Sequence, residues 1–180
     1  MKEGELIYNT LEGLKKRLSN NRLVVQGDRG FVCEVEFIFN PPATVDEVNA
    51  FCRRVGFELP KDYSNFIQMH NGAKLFKPWF GGGVELFSLD EIIENKLDYM
   101  PDHWYPIAYF IDGGYLLIDA NKCKNGEKDY LIWLGSFILE EAENLQINFE
   151  IWLDRYVIAQ GEKYWTWKRY TVHNYYKTHR

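Results

Sequence analysis

In residues 31–39 every second side chain from Phe31 is apolar and Glu34 and Glu36 lie between them, and this pattern restricts the fold more than any other feature of the chain. A β-strand points successive side chains to opposite faces. One face of this segment would then be wholly apolar, while the other would carry Glu34 and Glu36. We therefore expect a strand with one face in a core and the other in water, as antiparallel sheets allow. The apolar set comprises Phe31, Cys33, Val35, Phe37 and Phe39.

Other short segments predict further strands and the turns between them. Residues 27–30 form a Gly/Asp-rich turn, and Asp112-Gly113-Gly114 is typical of a hairpin. Closely spaced strands joined by short turns favour an antiparallel sheet. Loops are expected at residues 78–83 and 121–129. The predicted strands are residues 23–26, 31–39, 84–87, 107–110, 115–119 and 130–134, of which 130–134 is the last.

Signals for helix starts and ends alternate with these strands. Thr44 with Glu47, and Ser88 with Glu91, each match a capping box, in which a hydroxyl and a carboxylate bind free backbone N–H groups. The pair Asn71-Gly72 is a typical helix end. The predicted helices are residues 4–19, 44–55, 60–70, 88–96 and 149–159. This order of elements predicts an α+β domain with a mainly antiparallel sheet flanked by helices.

Composition limits the class of protein. The chain has 180 residues, 46% of them apolar and 17% aromatic, which suits one ordered domain with some extension. The N-terminus lacks a signal-peptide pattern and no apolar run could span a bilayer, so we expect a cytoplasmic protein with no membrane partner. The three cysteines form no CxxC pair, so neither a zinc site nor a disulfide framework is expected.

Charge is distributed unevenly along the chain. The net charge is −5, and residues 84–119 contain eight acids but a single base, Lys96. Such an acidic region favours a basic partner and repels nucleic acid. The simpler alternative is a solvated surface that only keeps the protein soluble. Residues 161–180 are instead basic, with five Lys and Arg residues against Glu162.

No segment carries the signature of an enzyme, a metal site or a cofactor site. Gly81-Gly82-Gly83 precedes a predicted strand and lacks the Lys-Ser/Thr of a phosphate loop, so it is interpreted as a flexible loop. The four histidines have no metal-ligand spacing. Glu85 and Asp119 would work as an acid–base pair only if the fold brought them together. We therefore expect a non-catalytic protein without a cofactor.

The C-terminal residues 164–170, Tyr-Trp-Thr-Trp-Lys-Arg-Tyr, interleave aromatic and basic side chains. Proteins that bind single-stranded nucleic acid use this combination. In an acidic protein we favour the alternative, in which residues 161–180 form an aromatic-basic tail that packs on the same domain. Nucleic acid is therefore not the expected partner.

An ordered set of motifs resembles the SUKH superfamily, the SMI/KNR-like proteins. Residues 57–63, Phe-Glu-Leu-Pro-Lys-Asp-Tyr, with Phe66 and Asn71-Gly72, resemble its LP-x-D/E-Y-x-x-F…NG core. Further motifs follow in the family's order: an S-L-x-E-I helix start, a later hairpin and strand, and an F-x-x-W/F-L closing helix. They lie at residues 86–92, 106–119, 132–133 and 149–153. No single motif is specific, but their order is.

The resemblance implies an SMI/KNR-like domain over residues 44–160, with residues 1–43 as an N-terminal helix and hairpin extension. In bacteria the family mostly supplies immunity proteins against polymorphic toxins, many of which attack nucleic acid, and related fungal domains act in cell-wall signalling. The implied function is an immunity protein (antitoxin) that neutralises a cognate toxin, with a nuclease expected. The alternative is a regulatory or scaffold protein of cell-envelope or stress signalling. The oligomeric state is not fixed by the resemblance, so a monomer and a dimer are both expected possibilities.

Charge and loop position, rather than the family motifs, suggest which residues contact the partner. A run of acids would steer the protein to the basic active-site face of a nuclease. Aromatic residues in an expected loop would supply desolvated anchors. The predicted partner-binding residues are Trp79, Phe80, Asp90, Glu91, Glu94 and Asp98.

Overall fold

This computed structural model describes residue 2 and residues 4–136 and 138–167. Within these residues, eight antiparallel strands form one sheet. Each strand pairs with its neighbour in the chain, so the sheet is a simple meander. Residues directly opposite each other in such a ladder share one face. The strands are β1 (Arg22–Gln26), β2 (Val32–Phe39), β3 (Ala73–Pro78), β4 (Val84–Leu86), β5 (Trp104–Phe110), β6 (Tyr115–Asp119), β7 (Leu131–Leu134) and β8 (Glu143–Asn144).

Six α-helices accompany the sheet within the same described ranges. Both predicted capping boxes form: Thr44 Oγ1 accepts the N–H of Glu47 at 3.2 Å, and Ser88 Oγ accepts the N–H of Glu91 at 3.3 Å. The predicted α+β fold with an antiparallel sheet is therefore confirmed. None of these helices combines the length and apolar character needed to cross a bilayer. The helices are α1 (Glu5–Arg17), α2 (Val45–Val55), α3 (Lys61–Met69), α4 (Leu89–Glu94), α5 (Ala120–Lys124) and α6 (Phe149–Ile158).

The main core lies between one face of the sheet and a layer of helices. Ile7 and Leu11 of α1 are completely buried, and α1 packs on both α6 and α3. Trp152 and Tyr156 of α6 stack with ring centroids 5.1 Å apart. Phe110 of β5 meets these two rings edge-on, at 6.4 and 5.9 Å. Helix α6 thus joins α1 to the sheet.

A smaller core covers the opposite face of the sheet at β6 and β7. Leu117, Ile132 and Leu134 are buried there under Met100, which lies in the connection between α4 and β5. Strands β6 and β7 are therefore buried on both faces. On β1 and β2 the same face is open among the described residues, and Val24 of β1 is 62% exposed.

Several strand boundaries differ from the prediction. No strand was expected at Ala73–Pro78, yet β3 lies there and pairs with both β2 and β4. Its pattern is irregular because Phe76 has a positive φ of 53° and because the β2–β3 register shifts between Glu36 and Ile38. Strand β5 begins at Trp104, earlier than predicted, and β8 follows the strand that was expected to be last.

Two further local predictions are wrong. Residues 121–129 were expected as a loop, but α5 begins at Ala120 because Asp119 caps it, accepting the N–H groups of Asn121 and Lys122 at 2.9 and 3.3 Å. Phe31 was placed on the core face of its strand but is 56% exposed. The reason is that β2 begins only at Val32, so Phe31 lies in the preceding turn.

Both predicted flanking segments contact the rest of the fold. Because β2 pairs with β3, the β1–β2 hairpin of the predicted N-terminal extension continues the same sheet. At the other end, the Trp165 ring lies 5.2 Å from that of Trp133 and 6.0 Å from that of Trp152. The boundaries at residues 43/44 and 160/161 stay predictions. Residues 168–180 of the predicted tail lie outside the described residues.

Candidate partner-binding surfaces

Trp79 and Phe80 lie in the turn between β3 and β4, where they are 90% and 53% exposed. Their rings meet edge-on with centroids 5.5 Å apart. Phe80 also contacts Phe31 of the neighbouring β1–β2 turn, at 5.9 Å. These three rings, which we call the aromatic tip, form an exposed apolar patch of the kind that partners cover.

The turn that holds the aromatic tip requires glycine for steric reasons. Gly81, Gly82 and Gly83 all have positive φ angles, which favour glycine. A Cβ on Gly83 would lie 2.6 Å from the carbonyl oxygens of Leu75 and Phe76. The glycine run, interpreted from sequence as a flexible loop, is thus a close connection between two paired strands.

The four predicted acidic contacts lie on α4 or just after it, and all four are exposed. The inner side of α4 is anchored, since Leu89 and Ile92 are buried and the N–H of Leu89 donates to Asn71 Oδ1 at 2.9 Å. The outer side of this short helix therefore faces solvent. We call the acids on it the α4 acidic surface: Asp90, Glu91, Glu94 and Asp98.

The acids of this surface differ in what they contact. Asp90, Glu94 and Asp98 form no ion pair with any residue that the structure describes. Glu91 is engaged in the capping box, where its carboxylate accepts the backbone N–H and the hydroxyl of Ser88 at 2.7 and 2.8 Å. Three carboxylates therefore remain available to a partner, while the fourth mainly stabilises α4.

Lys96 follows α4 but does not neutralise the α4 acidic surface. Its ammonium group donates to the backbone carbonyl of Asp102 and lies 4.1 Å from the centre of the Tyr105 ring. Partial burial lowers the pKa of Lys96, against the opposing effect of the Asp102 charge. The Lys96 side chain thus points toward the body of the domain and away from the acids of α4.

A groove of about 210 Å³ runs between α4 and α2 and adds one acid that sequence analysis missed. Asp90 of α4 and Glu47 of α2 line this groove, together with Arg54. Hydrogen bonds from Thr44 lower the pKa of Glu47, so this carboxylate is ionised at neutral pH. Glu47 is distant from Asp90 in the chain, and its sequence signal was that of a helix cap. Only the fold shows that the two acids share a groove.

The aromatic tip and the α4 acidic surface lie at opposite ends of β4. The glycine turn leads into β4 at Val84, and α4 begins at Leu89, after the strand has ended. The cavity lined by Phe80 and the groove lined by Asp90 share no residue. The six predicted contact residues therefore form two surfaces, and one partner would have to cover both.

The open face of the sheet, which ends at β6 where Tyr115 packs on the smaller core, is a third candidate surface that the sequence could not assign. A cross-strand row passes through Ile38, Lys74, Glu85, Tyr109 and Tyr115, each opposite the next. Lys74 Nζ lies 2.7 Å from Glu85 Oε1, and the two tyrosine rings lie 5.0 Å apart. Because its charges pair with each other, this row attracts a charged partner less than the α4 acidic surface does.

The structure does not bring together Glu85 and Asp119, the two carboxylates considered as an acid–base pair. Glu85 pairs with Lys74, and Asp119 caps α5. The β6 residue in the row of Glu85 is Tyr115, two strands away. Asp119 lies four residues beyond Tyr115, about 13 Å further along β6. Among the described residues, no group of three or more His, Cys, Asp and Glu side chains is placed to hold a metal ion.

The aromatic residues of the aromatic-basic C-terminal segment differ in how deeply they are buried. Tyr164 and Trp165 pack against the main core, whereas Trp167 is 56% exposed. Trp165 is therefore not free to stack on a nucleic-acid base. Lys168, Arg169 and Tyr170 of the same motif lie outside the described residues.

A buried carboxylate explains one of the sequence motifs. Asp62, at the start of α3, is 1% exposed. Its oxygens accept the Tyr130 hydroxyl at 2.6 and 2.7 Å and the N–H of Glu150 at 3.0 Å. The N–H of Phe149 in turn donates to the Tyr130 hydroxyl oxygen at 3.1 Å. We call this arrangement the Asp62 cap, because it satisfies the first N–H groups of α6 from a distant part of the chain.

Residues 42–155, more than half of the chain, match the SMI1 / KNR4 family (SUKH-1). The chain belongs to the SMI1 / KNR4 (SUKH-1) family. Two proteins that are similar to this chain come from Bacillus subtilis (strain 168). The uncharacterized protein YobM is 36% identical over 183 residues, covering 96% of this chain and 97% of YobM. The uncharacterized protein YnaB is 40% identical over 134 residues, covering 73% of this chain and 88% of YnaB.

The resemblance to the SUKH superfamily is thus confirmed, and the structure shows what its motifs do. Leu59, Tyr63 and Phe66 of the first motif are buried in the main core, and its acid forms the Asp62 cap. These SUKH-1 motif residues specify the fold. The surfaces that a partner could contact consist mostly of residues outside the motifs, apart from Asp90 and Glu91 of the helix-start motif, and the roles of these surfaces stay predictions.

Proposed function

We propose that this SUKH-1 protein is an immunity protein that binds a cognate protein toxin with a basic active-site face, such as a nuclease, and blocks it without catalysing a reaction. Members of the superfamily are commonly immunity proteins. The observation that supports the proposal best is the α4 acidic surface, with three exposed carboxylates free of described ion pairs. A nuclease must present Lys and Arg to hold phosphates, and these side chains are complementary to the acids.

The two candidate surfaces would contribute differently to toxin binding. Exposed charges such as Asp90 and Glu94 mainly raise the association rate. Aromatic anchors that lose contact with water mainly slow dissociation, and Trp79 and Phe80 are placed to do so. The protein would act in the cytoplasm, where an incoming nuclease would meet nucleic acid.

Co-expression with a toxin tests this proposal. The toxin domain encoded beside the gene for this chain would be expressed in bacteria with the wild type or with Asp90→Asn/Glu94→Gln. Glu91 is left intact because it caps α4. The matched control is Glu140→Gln/Glu143→Gln, which removes the same charge from two exposed acids that are not part of the α4 acidic surface. We expect growth rescue by the wild type and the control, and weaker rescue by the α4 variant.

Two results would count against the proposal. If the wild type neither rescues growth nor binds a neighbouring toxin in purified form, an immunity function is wrong for this chain. If the α4 variant rescues as well as the control over a range of toxin expression levels, the contact lies elsewhere on the surface.

A further inference from the structure

A cavity of about 460 Å³ opens at the end of the sheet that carries the hairpin turns. Buried rings form its floor, and exposed rings surround its mouth. The floor consists of Phe76, Phe110 and Tyr156, which are 4%, 1% and 0% exposed, and the mouth of Phe31, Phe80 and Trp167, which are 53–56% exposed. Aromatic faces are electron-rich, so rings on several sides of one cavity favour a cation with an apolar stem.

Tyr156 lines the floor, and its hydroxyl, which has almost no solvent-accessible surface, lacks a hydrogen-bond partner among the described residues. Burial raises the pKa of Tyr156, and the nearby carboxylates of Asp112 and Glu162 raise it further, so the hydroxyl stays neutral. A neutral phenol can accept a hydrogen bond from a cationic N–H group. A buried polar group without a partner is unfavourable, so a ligand that pairs with it gains affinity.

The adjoining rings already hold one cation of this chain. Lys163 Nζ lies 5.2 Å from the centre of the Phe110 ring and 5.1 Å from that of Trp133. It also pairs with Asp112 Oδ1 at 2.9 Å and donates to the carbonyl of Gly113 at 3.1 Å. The chemistry that binds a basic side chain, aromatic faces with a nearby carboxylate, is thus in use at the edge of the cavity.

We propose that the cavity receives an arginine side chain from a basic protein partner. Arginine fits better than lysine, because its planar guanidinium group can stack on the rings of Phe31, Phe80 and Trp167. A shift of the Tyr156 side chain toward the cavity would then let its hydroxyl accept an N–H from the guanidinium group. The net charge of −5 attracts a basic partner to the chain as a whole, while at the cavity the rings, and not the local charge, would hold the side chain. This inference rests on the proposed function for the identity of the partner, which would be the toxin.

A small-molecule probe tests the cavity without a toxin. The full ¹⁵N-labelled chain would be titrated with N-acetyl-arginine amide, and separately with N-acetyl-citrulline amide, the neutral analogue of the same shape. We expect saturable NMR shifts at the amides of Gly82, Gly83 and Gly161, which line the cavity. We expect the arginine probe to bind at least about fivefold more tightly than the citrulline probe.

Two variants and one control locate the site. Phe80→Leu removes an exposed ring and should weaken arginine binding about two- to fivefold, and Tyr156→Phe removes the unpartnered hydroxyl and should also weaken it. If Tyr156→Phe unfolds the chain, Phe80→Leu alone decides, since Phe80 is exposed. The control is Tyr8→Leu, which removes an exposed ring that does not line the cavity and should leave binding unchanged.

Equal affinity for the two probes, shifts confined to other residues, or no saturable shift would overturn the inference. Concentration-dependent shifts at the same glycines without a probe would also overturn it, because they would show a second copy of the chain in the cavity. Failure of the probe with intact growth rescue would leave the proposed function standing. Probe binding without rescue would remove the toxin as the partner but keep the arginine site.

Discussion

The aromatic cluster around Trp152 and the aromatic tip use the same residue types in opposite environments. Trp152 is completely buried and packs on Phe110, Tyr156 and Trp165. Trp79 is 90% exposed and contacts only the partly exposed Phe80 among the ring pairs of the described chain. The buried cluster joins α6 to the sheet, whereas the tip leaves apolar area in water, which is useful only when a partner covers it.

The difference shows that the motif residues that hold the core together are not the residues of the candidate contact surfaces, although Asp90 and Glu91 lie within the helix-start motif at residues 86–92. Trp152 lies in the closing-helix motif, and Asp62 in the first motif, and both hold α6 in place. Trp79 and Asp90 are exposed and do not hold α6 in place. Related proteins could therefore share this fold and still recognise different partners.

The largest expected effect on stability comes from replacing one tryptophan in each region by alanine. Trp152→Ala should lower the free energy of unfolding by about 3–5 kcal/mol, because it leaves a cavity in the main core. Trp79→Ala should change it by no more than about 0.5 kcal/mol, as at an exposed site. Urea unfolding followed by circular dichroism measures both. Similar losses for the two variants would break the distinction between the regions.

A smaller effect is expected from the Asp62 cap. Asp62→Ala should cost about 2–4 kcal/mol, because the Tyr130 hydroxyl and the Glu150 N–H lose their buried acceptor. Asp90→Ala is the matched control, since Asp90 is exposed, and should cost less than about 0.5 kcal/mol. Urea unfolding of the two variants decides: a stable Asp62→Ala protein would show that α6 does not need this cap.

The smallest expected effect is a pH dependence from His70, the residue after α3. Its Nδ1 lies 3.0 Å from the carbonyl oxygen of Asn40, and burial lowers its pKa, with a smaller contribution from Lys15 and opposition from the Asn40 hydrogen bond and Glu12. The unfolded chain then takes up a proton near pH 6.5 while the folded chain does not. Stability should therefore fall as the pH drops below about 6.5.

Removal of the imidazole isolates the share of His70 in that pH dependence. In His70→Gln, the free energy of unfolding should fall less between pH 7 and pH 5 than in the wild type, where each pKa unit of difference accounts for about 1.4 kcal/mol. Thermal unfolding at a series of pH values measures this. Identical slopes for the two proteins would show that His70 is solvated like an unfolded histidine.

Local signals predicted the parts of the fold that depend on neighbouring residues. Both capping boxes and the alternation at Val35 and Phe37 act within one element, and all appear in the structure. The predicted helix end at Asn71-Gly72 is wrong, because α3 ends at Met69 and its C-cap is His70 in an extended conformation. Strand β3 was missed because Phe76, at positive φ, interrupts its alternation. Helix α5 and strand β8 were missed because they have only five and two residues, too few for a periodic pattern.

The candidate surfaces could be predicted only one segment at a time. Exposure of Trp79 and Asp90 follows from a turn and from the outer side of a capped helix, and the structure shows both as exposed. The predicted strand at residues 84–87 already separates these two residues along the chain. The groove shared with Glu47 and the row on the open sheet face depend instead on how distant segments pair. No local pattern carries that information.

The central claim is that this chain recognises its partner through exposed charge and exposed rings that do not hold the fold together. The most direct test is the association rate of the purified chain with the toxin domain, measured at several salt concentrations. Wild type would be compared with Asp90→Asn/Glu94→Gln and with the Glu140→Gln/Glu143→Gln control, all three with equal free energies of unfolding.

We predict an association rate for the wild type and the control that falls steeply with added salt, because screening weakens steering by exposed charges. The α4 variant should associate about tenfold more slowly at low salt, with a shallower salt dependence. Association rates that are the same for all three proteins, or that do not depend on salt, would contradict the account.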